Sequence, residues 1–302
     1  MRRRLPAQCA IPRAVPLRAH DSAAKMRHGL PVMTRLFIFG LGYSAGRIAA
    51  TLRGAGWQVE ETGRSGGIAF ADRAAVETAL DRATHILSSV PPDETGADPV
   101  LRHYGDALRA SPARWLGYLS ATGVYGDTGG AWVDESAPIG AGRRNARTAA
   151  DLAWQTLGRP AHIFRLPGIY GPGRSVLDRI RAGRAPRIDL PGHMFSRIHV
   201  DDIASGVIAG MTGPPGIYNL ADDCPAPQHA VIAHGCALLG LPVPPLVPLA
   251  QAGLSPAARA FYAENRRVSA NRARRLLGWR PAYPDYRSGL AAILREEGRR
   301  KG

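Results

Sequence analysis

Gly40, Gly42 and Ala45 follow the spacing G-x-G-x-x-A, directly after the apolar run Leu36–Phe39 and at the head of a helical stretch. This strand-turn-helix wiring suits the binding of a dinucleotide pyrophosphate. Gly40 permits the tight turn, Gly42 puts no side chain between backbone and phosphate, and Ala45 is small enough for close helix–strand packing. The helix that opens at Tyr43, Ser44 and Ala45 is expected to aim its free N–H groups and positive dipole end at the phosphates.

The end of the next strand bears on which dinucleotide. An acidic residue about 20 positions beyond the glycines would accept the ribose 2′-hydroxyl of NAD, but the chain there reads Thr62-Gly63-Arg64. A guanidinium pairs a 2′-phosphate through two hydrogen bonds, so Arg64 favours NADP over NAD. The alternative is that Arg64 is a solvated loop arginine and that Glu60 or Glu61 binds the ribose.

These residues need a scaffold, and the chain alternates strand and helix from Met33 onward. Strands are expected over 34–39, 57–61, 67–70, 85–90, 115–120 and 162–166. Helices are expected over 44–55, 74–83, 100–110 and near 147–157. Strands separated by helices of ten or more residues imply an α/β fold, a Rossmann-type doubly wound parallel sheet covered on both faces. The strand at 85–90 closes on Ser89, Val90 and Pro91, which are expected to touch the cofactor. After 166, Pro and Gly become frequent. This predicts a small C-terminal substrate-covering subdomain, its lid segments mainly within 172–196 and 222–302. Ser269 is a candidate cap for a helix that Gly278 ends.

At 302 residues, with 45% hydrophobic and 21% charged side chains, the chain can bury a large core. Its net charge of +15 is concentrated in residues 1–32 and 261–302. An arginine excess confined to the ends, without a basic stripe or interleaved aromatics, argues against nucleic-acid binding. No apolar run reaches the roughly 20 residues of a membrane span. Cys9, Cys224 and Cys236 show neither metal spacing nor a disulfide pattern, which fits a reduced cytoplasmic protein without a metal site. Residues 1–32 are arginine-rich and acid-poor and have no secretory h-region. They read as a disordered extension or a mis-assigned start ahead of a 33–302 nucleotide-binding domain.

Six ordered blocks together resemble the extended short-chain dehydrogenase/reductase group, relatives of the nucleotide-sugar epimerases and dehydratases. They are GLGYSAG at 40–46, YLSATGVYGD at 118–127, FRLPGIYGPGR at 164–174, RIHVDDIA at 197–204, IYNLADDCP at 217–225 and NRRVSANRARRLLGW at 265–279. The likeness is greatest to an atypical, epimerase-like subgroup of NAD(P)-dependent oxidoreductases. It implies that Pro167 to Tyr170, with Pro167 and Ile169 in contact, wrap the nicotinamide end. It implies a structural role for His199, Asp201 and Asp202, an Asp capping the following helix. It also implies a small-molecule substrate and a homodimer formed through helices of the sheet's outer layer.

The group's usual chemistry takes a Ser or Thr hydroxyl, a Tyr acid/base and a Lys that lowers the Tyr pKa. This chain has two lysines, Lys25 and Lys301, and neither serves a Tyr-x-x-x-Lys motif. Arg143 and Arg147 stand at the Tyr and Lys places, and Arg147 is a candidate to grip ribose or phosphate. The hydroxyl position holds Ala121 between Ser120 and Thr122. Thr122 and Tyr125 are therefore the catalytic candidates, with Asp127 and Tyr170 nearby. Arg174 and Arg197 are candidates to bind an anionic substrate, and Asp134-Glu135 are expected to be a solvated pair. An oxidoreductase with a non-standard proton donor is the reading these residues favour. A non-catalytic NADP-binding sensor or partner protein is the alternative.

Overall fold

In the computed structural model, which describes residues 34–63, 67–93, 96–140 and 145–299, the first apolar run is a strand, β1 (Arg35–Phe39). The chain continues through α1 (Tyr43–Gly54), β2 (Gln58–Glu61), α2 (Arg73–Arg82), β3 (His85–Ser88), α3 (Pro99–Ala110) and β4 (Trp115–Ala121). A 3-10 turn, Thr122–Tyr125, leaves β4. Short β5 (Trp132–Val133) and α4 (Asn145–Gln155) lead to β6 (His162–Leu166). Then come β7 (Gly168–Tyr170), α5 (Val176–Arg181), β8 (Arg187–Asp189), β9 (Arg197–His199), α6 (Val200–Gly210) and β10 (Gly216–Asn219). The remaining elements are α7 (Gln228–Leu239), β11 (Leu246–Pro248), α8 (Pro256–Ala260), β12 (Arg267–Val268), α9 (Asn271–Leu277) and α10 (Tyr286–Arg299).

Six parallel strands form the central sheet in the order β10-β6-β4-β3-β1-β2. Alternation along β1 sets its two faces. Leu36 and Ile38 join a core with α1 and α6, while Phe37 and Phe39 join a core with α2, α3 and α4. A strand buried on both sides reads as continuous apolar sequence, as this one does. Strand order reverses where β1 lies between β2 and β3, and ligands bind beyond the carboxyl ends of strands at such a point. This is a Rossmann-like α/β fold. A third core, built from α5, α7 and α10, holds Leu177, Ile232, Tyr286 and Leu290. Among the described residues no helix is long and apolar enough to cross a membrane.

Four local expectations are corrected. No strand forms over 67–70: Ile68 makes an isolated bridge to Thr62, and Phe70 turns edge-on to Tyr104, ring centroids 5.3 Å apart. The sixth sheet strand is β10, whose Ile217 and Tyr218 serve opposite cores. Ala270 occupies the cap position of α9, and the Ser269 hydroxyl accepts from the Asn271 N–H at 3.3 Å, while Gly278 ends the helix at φ +63°. The cap of α6 is His199, not an aspartate: its Nδ1 accepts from the Asp201 N–H at 3.2 Å. Asp201 is drawn off to Arg47, and Asp202 accepts from the Ala282 and Tyr283 N–H groups at 2.6 and 3.1 Å. Residues 1–32, Arg64 and Arg143 lie outside the described residues.

Candidate active site

The glycine turn is braced from both neighbouring strands. Gly40 sits at φ +80°, and a Cβ there would lie 2.9 Å from Val90 Cγ2. Its N–H donates to Thr62 Oγ1 at 3.0 Å, its carbonyl accepts from Ser89 Oγ at 2.5 Å, and the Leu41 N–H reaches the Thr62 carbonyl at 3.0 Å. Thr62 was not singled out in the sequence, because a side chain that staples a turn across the sheet leaves no local pattern.

Gly42 opens α1 in extended backbone with no side-chain cap, and the first turn carries no acidic residue. The first-turn N–H groups therefore have no side-chain cap and no acidic residue of their own turn beside them. A Cβ at Gly42 would meet nothing within 4 Å. An uncapped helix start with open space before it fits a pyrophosphate. Ala45 is fully buried, as close packing of α1 on β1 requires. Tyr43 is committed elsewhere: its hydroxyl donates to the Pro172 carbonyl at 3.0 Å, and the Arg174 guanidinium lies 5.5 Å from its ring centre. This contact ties the start of α1 to the loop after β7. Near the end of β2, the Glu61 carboxylate is held by Arg53 at 2.5 Å, and Glu60 is exposed.

A cavity of about 720 Å³ opens at the carboxyl ends of β4 and β6 and reaches the third core. Of the residues expected from sequence, Thr122, Pro167, Ile169, Tyr170, Arg174 and Arg197 line it together. Its wall also includes Phe195, Tyr262 and Tyr286, which the sequence reading missed because they come from separate loops and helices. The Thr122 hydroxyl has a long bond, 3.5 Å, to the Leu166 carbonyl.

Tyr125 does not line this cavity. It is 2% exposed, and its hydroxyl donates to Asn219 Oδ1 at 2.8 Å while accepting from Arg165 Nη1 at 3.1 Å. Arg165 pairs with both oxygens of Asp151, at 2.7 and 3.1 Å, and Ser120 donates to Asp151 at 2.5 Å. The network joins β4, the 3-10 turn, α4, β6 and β10. Burial raises the Tyr125 pKa, against the charge of Arg165. Arg147 lies on α4 away from the cavity wall, where its charge partly opposes the burial that raises the pKa of Tyr118 and of Asp98.

Asp127 accepts from the Asn265 and Gly129 N–H groups, bonds that lower its pKa. Asp134 and Glu135 are not a solvated pair. Asp134 accepts from Ser136, whereas half-buried Glu135 accepts from the Asn219 N–H at 2.7 Å, and burial raises its pKa.

A conserved protein of unknown function from Silicibacter pomeroyi DSS is 43% identical, with a TM-score of 0.78 over 87% of this chain and 99% of that one. The chain belongs to one family with it. The same fold occurs in a putative NAD-dependent epimerase/dehydratase from Methylobacillus flagellatus, 24% identical, with a TM-score of 0.68 over 88% of this chain and 99% of that one. The human epimerase family protein SDR39U1 (isoform 2), solved with NADPH, shares it at 19% identity and a TM-score of 0.71, over 87% of this chain and 99% of that one. A 3-diazoavenalumate denitrifying reductase from a Streptomyces species is 28% identical over 271 residues, 73% of this chain and 86% of that protein. No family model matches the chain.

Proposed function

We propose that the protein is a nicotinamide-dependent reductase of the extended short-chain dehydrogenase/reductase type, acting on a small molecule held in the 720 Å³ cavity. The observation that carries this reading is the continuity of two sites. The uncapped start of α1 and the cavity wall meet where Tyr43 donates to Pro172, one residue before Gly173 and Arg174 enter that wall. The likeness to the Streptomyces reductase supports hydride transfer as the reaction.

When bound, the cofactor supplies a hydride at its nicotinamide ring. Gly40, Gly42 and the first-turn N–H groups of α1 hold the pyrophosphate, with Ser89, Val90 and Pro91 closing the adjacent edge. Pro167 and Ile169 bound the nicotinamide end. Thr122, with its long bond to Leu166, exchanges that partner for a substrate oxygen or nitrogen and orients it. The segments within 172–196 and 222–302 cover the substrate.

NADP is the preferred cofactor in this reading. Arg64 supplies the guanidinium, and Glu61, engaged by Arg53, is a poor partner for a ribose hydroxyl. Calorimetric titration with NADPH and NADH tests the assignment: Arg64→Ala should weaken NADPH binding more than NADH binding. Equal losses overturn the preference, and no heat from either dinucleotide overturns the function.

The commitment of the Tyr125 hydroxyl to a buried network favours a second reading, a dinucleotide-binding protein without turnover. Tight NADPH binding with no loss of its absorbance against a broad panel of carbonyl and other electrophilic substrates would support that reading instead.

A further inference from the structure

Arg197 is an unusual cation. It is 8% exposed, yet every hydrogen bond it makes is to a neutral oxygen: Nη1 to the carbonyls of Phe195 and Ala226 at 2.7 and 3.0 Å, and Nη2 to Gln228 Oε1 at 2.8 Å. Among the described residues no carboxylate comes within ion-pair distance of it. A guanidinium has five N–H donors, so two are left over. A buried charge without a counter-ion is costly, and burial lowers the Arg197 pKa accordingly.

The carboxyl group with the largest electrostatic effect on Arg197 is Asp222, and the two do not form an ion pair. One oxygen accepts from the Cys224 N–H at 3.3 Å, the other has no partner, and burial drives the group toward its neutral form. The two carboxylates in the cavity wall are engaged as well. Asp178 closes a capping box with Ser175, and Glu264 pairs with Arg266 at 2.9 Å.

The surroundings of Arg197 are aromatic. Its guanidinium lies 5.7 Å from the centre of the Phe195 ring, and Tyr262 meets that ring edge-on, centroids 5.4 Å apart at 84°. Tyr286 and Leu290 also line this part of the cavity. Such aromatic neighbours offer a good surface for a planar ring. A carboxylate matches the planar fork of a guanidinium.

We propose that the substrate is a small aryl carboxylate, its carboxylate paired with Arg197 and its ring lodged among Phe195, Tyr262 and Tyr286. The proposal rests on the reading of this cavity as the substrate site. Exposed Arg174 and Arg179, at the same wall, add a positive field that draws the anion in.

Calorimetry with the wild-type protein tests it, with and without saturating NADP. The probes are 4-hydroxycinnamate, its neutral amide, phenyl phosphate and UDP-glucose. The acid should bind at least about tenfold more tightly than the amide, the value of one charge-assisted pair. Arg197→Gln should erase that preference by weakening the acid alone. If this variant does not fold, the acid–amide comparison on wild-type protein decides the matter. Equal binding of acid and amide overturns the proposal, as does tighter binding of UDP-glucose; phenyl phosphate outbinding the acid overturns the carboxylate. NADPH binding is read in the same preparation. If NADPH binds and the acid does not, this inference fails while the reductase reading stands.

Discussion

Arg165 and Arg197 are both buried arginines, 1% and 8% exposed, but their surroundings differ. Arg165 faces Asp151 through two hydrogen bonds and also donates to Tyr125. Every partner in that network has a partner of its own: Ser120 on Asp151, Gln155 on Asp151 at 2.6 Å, and Asn219 reaching the Ser269 carbonyl at 3.1 Å. Arg197 is pinned by carbonyls and an amide, beside a carboxyl with an orphaned oxygen. A fully satisfied polar network specifies one arrangement of the elements it joins. An incompletely satisfied one, at the wall of a cavity, is built for something that arrives later. The first arginine is a strut and the second a receptor.

The same substitution at the two neighbouring carboxyls gives the largest contrast. Asp151→Asn removes the counter-charge of a buried guanidinium and should cost about 3–5 kcal/mol of stability. Asp222→Asn replaces a carboxyl already pushed toward its neutral form and keeps an acceptor for the Cys224 N–H, so its cost should stay below about 1 kcal/mol. Urea denaturation at neutral pH measures both. Comparable losses would mean that Asp222 neutralises Arg197 and that the receptor reading is wrong.

Residues that bind should show the reverse signature, with affinity lost and stability kept. Gly42 is the cleanest case, because an added Cβ meets nothing in the protein. Gly42→Val should cost no more than about 1 kcal/mol in urea denaturation, the penalty of a poorer N-cap residue. NADPH affinity should fall about a hundredfold, roughly two charge-assisted hydrogen bonds at ~1.5 kcal/mol each. Unchanged NADPH affinity would move the phosphate site elsewhere. Tyr125→Phe should behave as a strut: about 1 kcal/mol less stable, with substrate and cofactor binding unaltered. A collapse of turnover without loss of stability would return Tyr125 to the catalytic candidates.

The cofactor half of the fold was more legible in sequence than the substrate half, and the reason is physical. The turn at Gly40–Ala45 is a local device: backbone conformation, an absent side chain and a helix start all lie within a few consecutive residues. The two-sided burial of β1 is likewise visible as unbroken apolar sequence. What escaped depends on contacts across the sheet. Thr62 looks like a strand-end residue until its hydroxyl is seen to hold Gly40. Aspartates looked like the caps of α6, but His199 caps because Asp201 and Asp202 have stronger partners elsewhere. Tyr125 sits in a motif loop, yet its hydroxyl is bound by Arg165 and Asn219, on strands 40 and 94 residues away in sequence. The cavity is assembled from β4, β6, α5, β9, α7 and α10, and no spacing encodes that meeting.

His85 tests whether a buried, ionisable side chain without a counter-charge must be a receptor. Its ring is buried between Trp57 and Trp115, centroids 4.7 and 6.0 Å away, and Nδ1 lies 2.9 Å from Thr84 Oγ1. The Thr84 hydroxyl donates its proton to the Arg35 carbonyl, so in the neutral ring Nδ1 is the donor to Thr84. Burial, reinforced by Arg114, lowers its pKa from 6.5 to about 4. Unlike Arg197, this group escapes the cost of burial by shedding its proton. The unfolded chain then binds more protons than the folded one between about pH 6.5 and 4, so the contribution to stability is full above 6.5 and is lost as pH falls toward 4. His85→Phe should reduce the slope of that limb of the stability–pH curve, to which His162, His193, His199 and His234 also contribute, measured by urea denaturation, and leave ligand binding untouched. If the limb keeps its slope in the variant, His85 is not one of its titrating groups. If aryl carboxylate affinity changes, the line drawn between struts and receptors is in the wrong place.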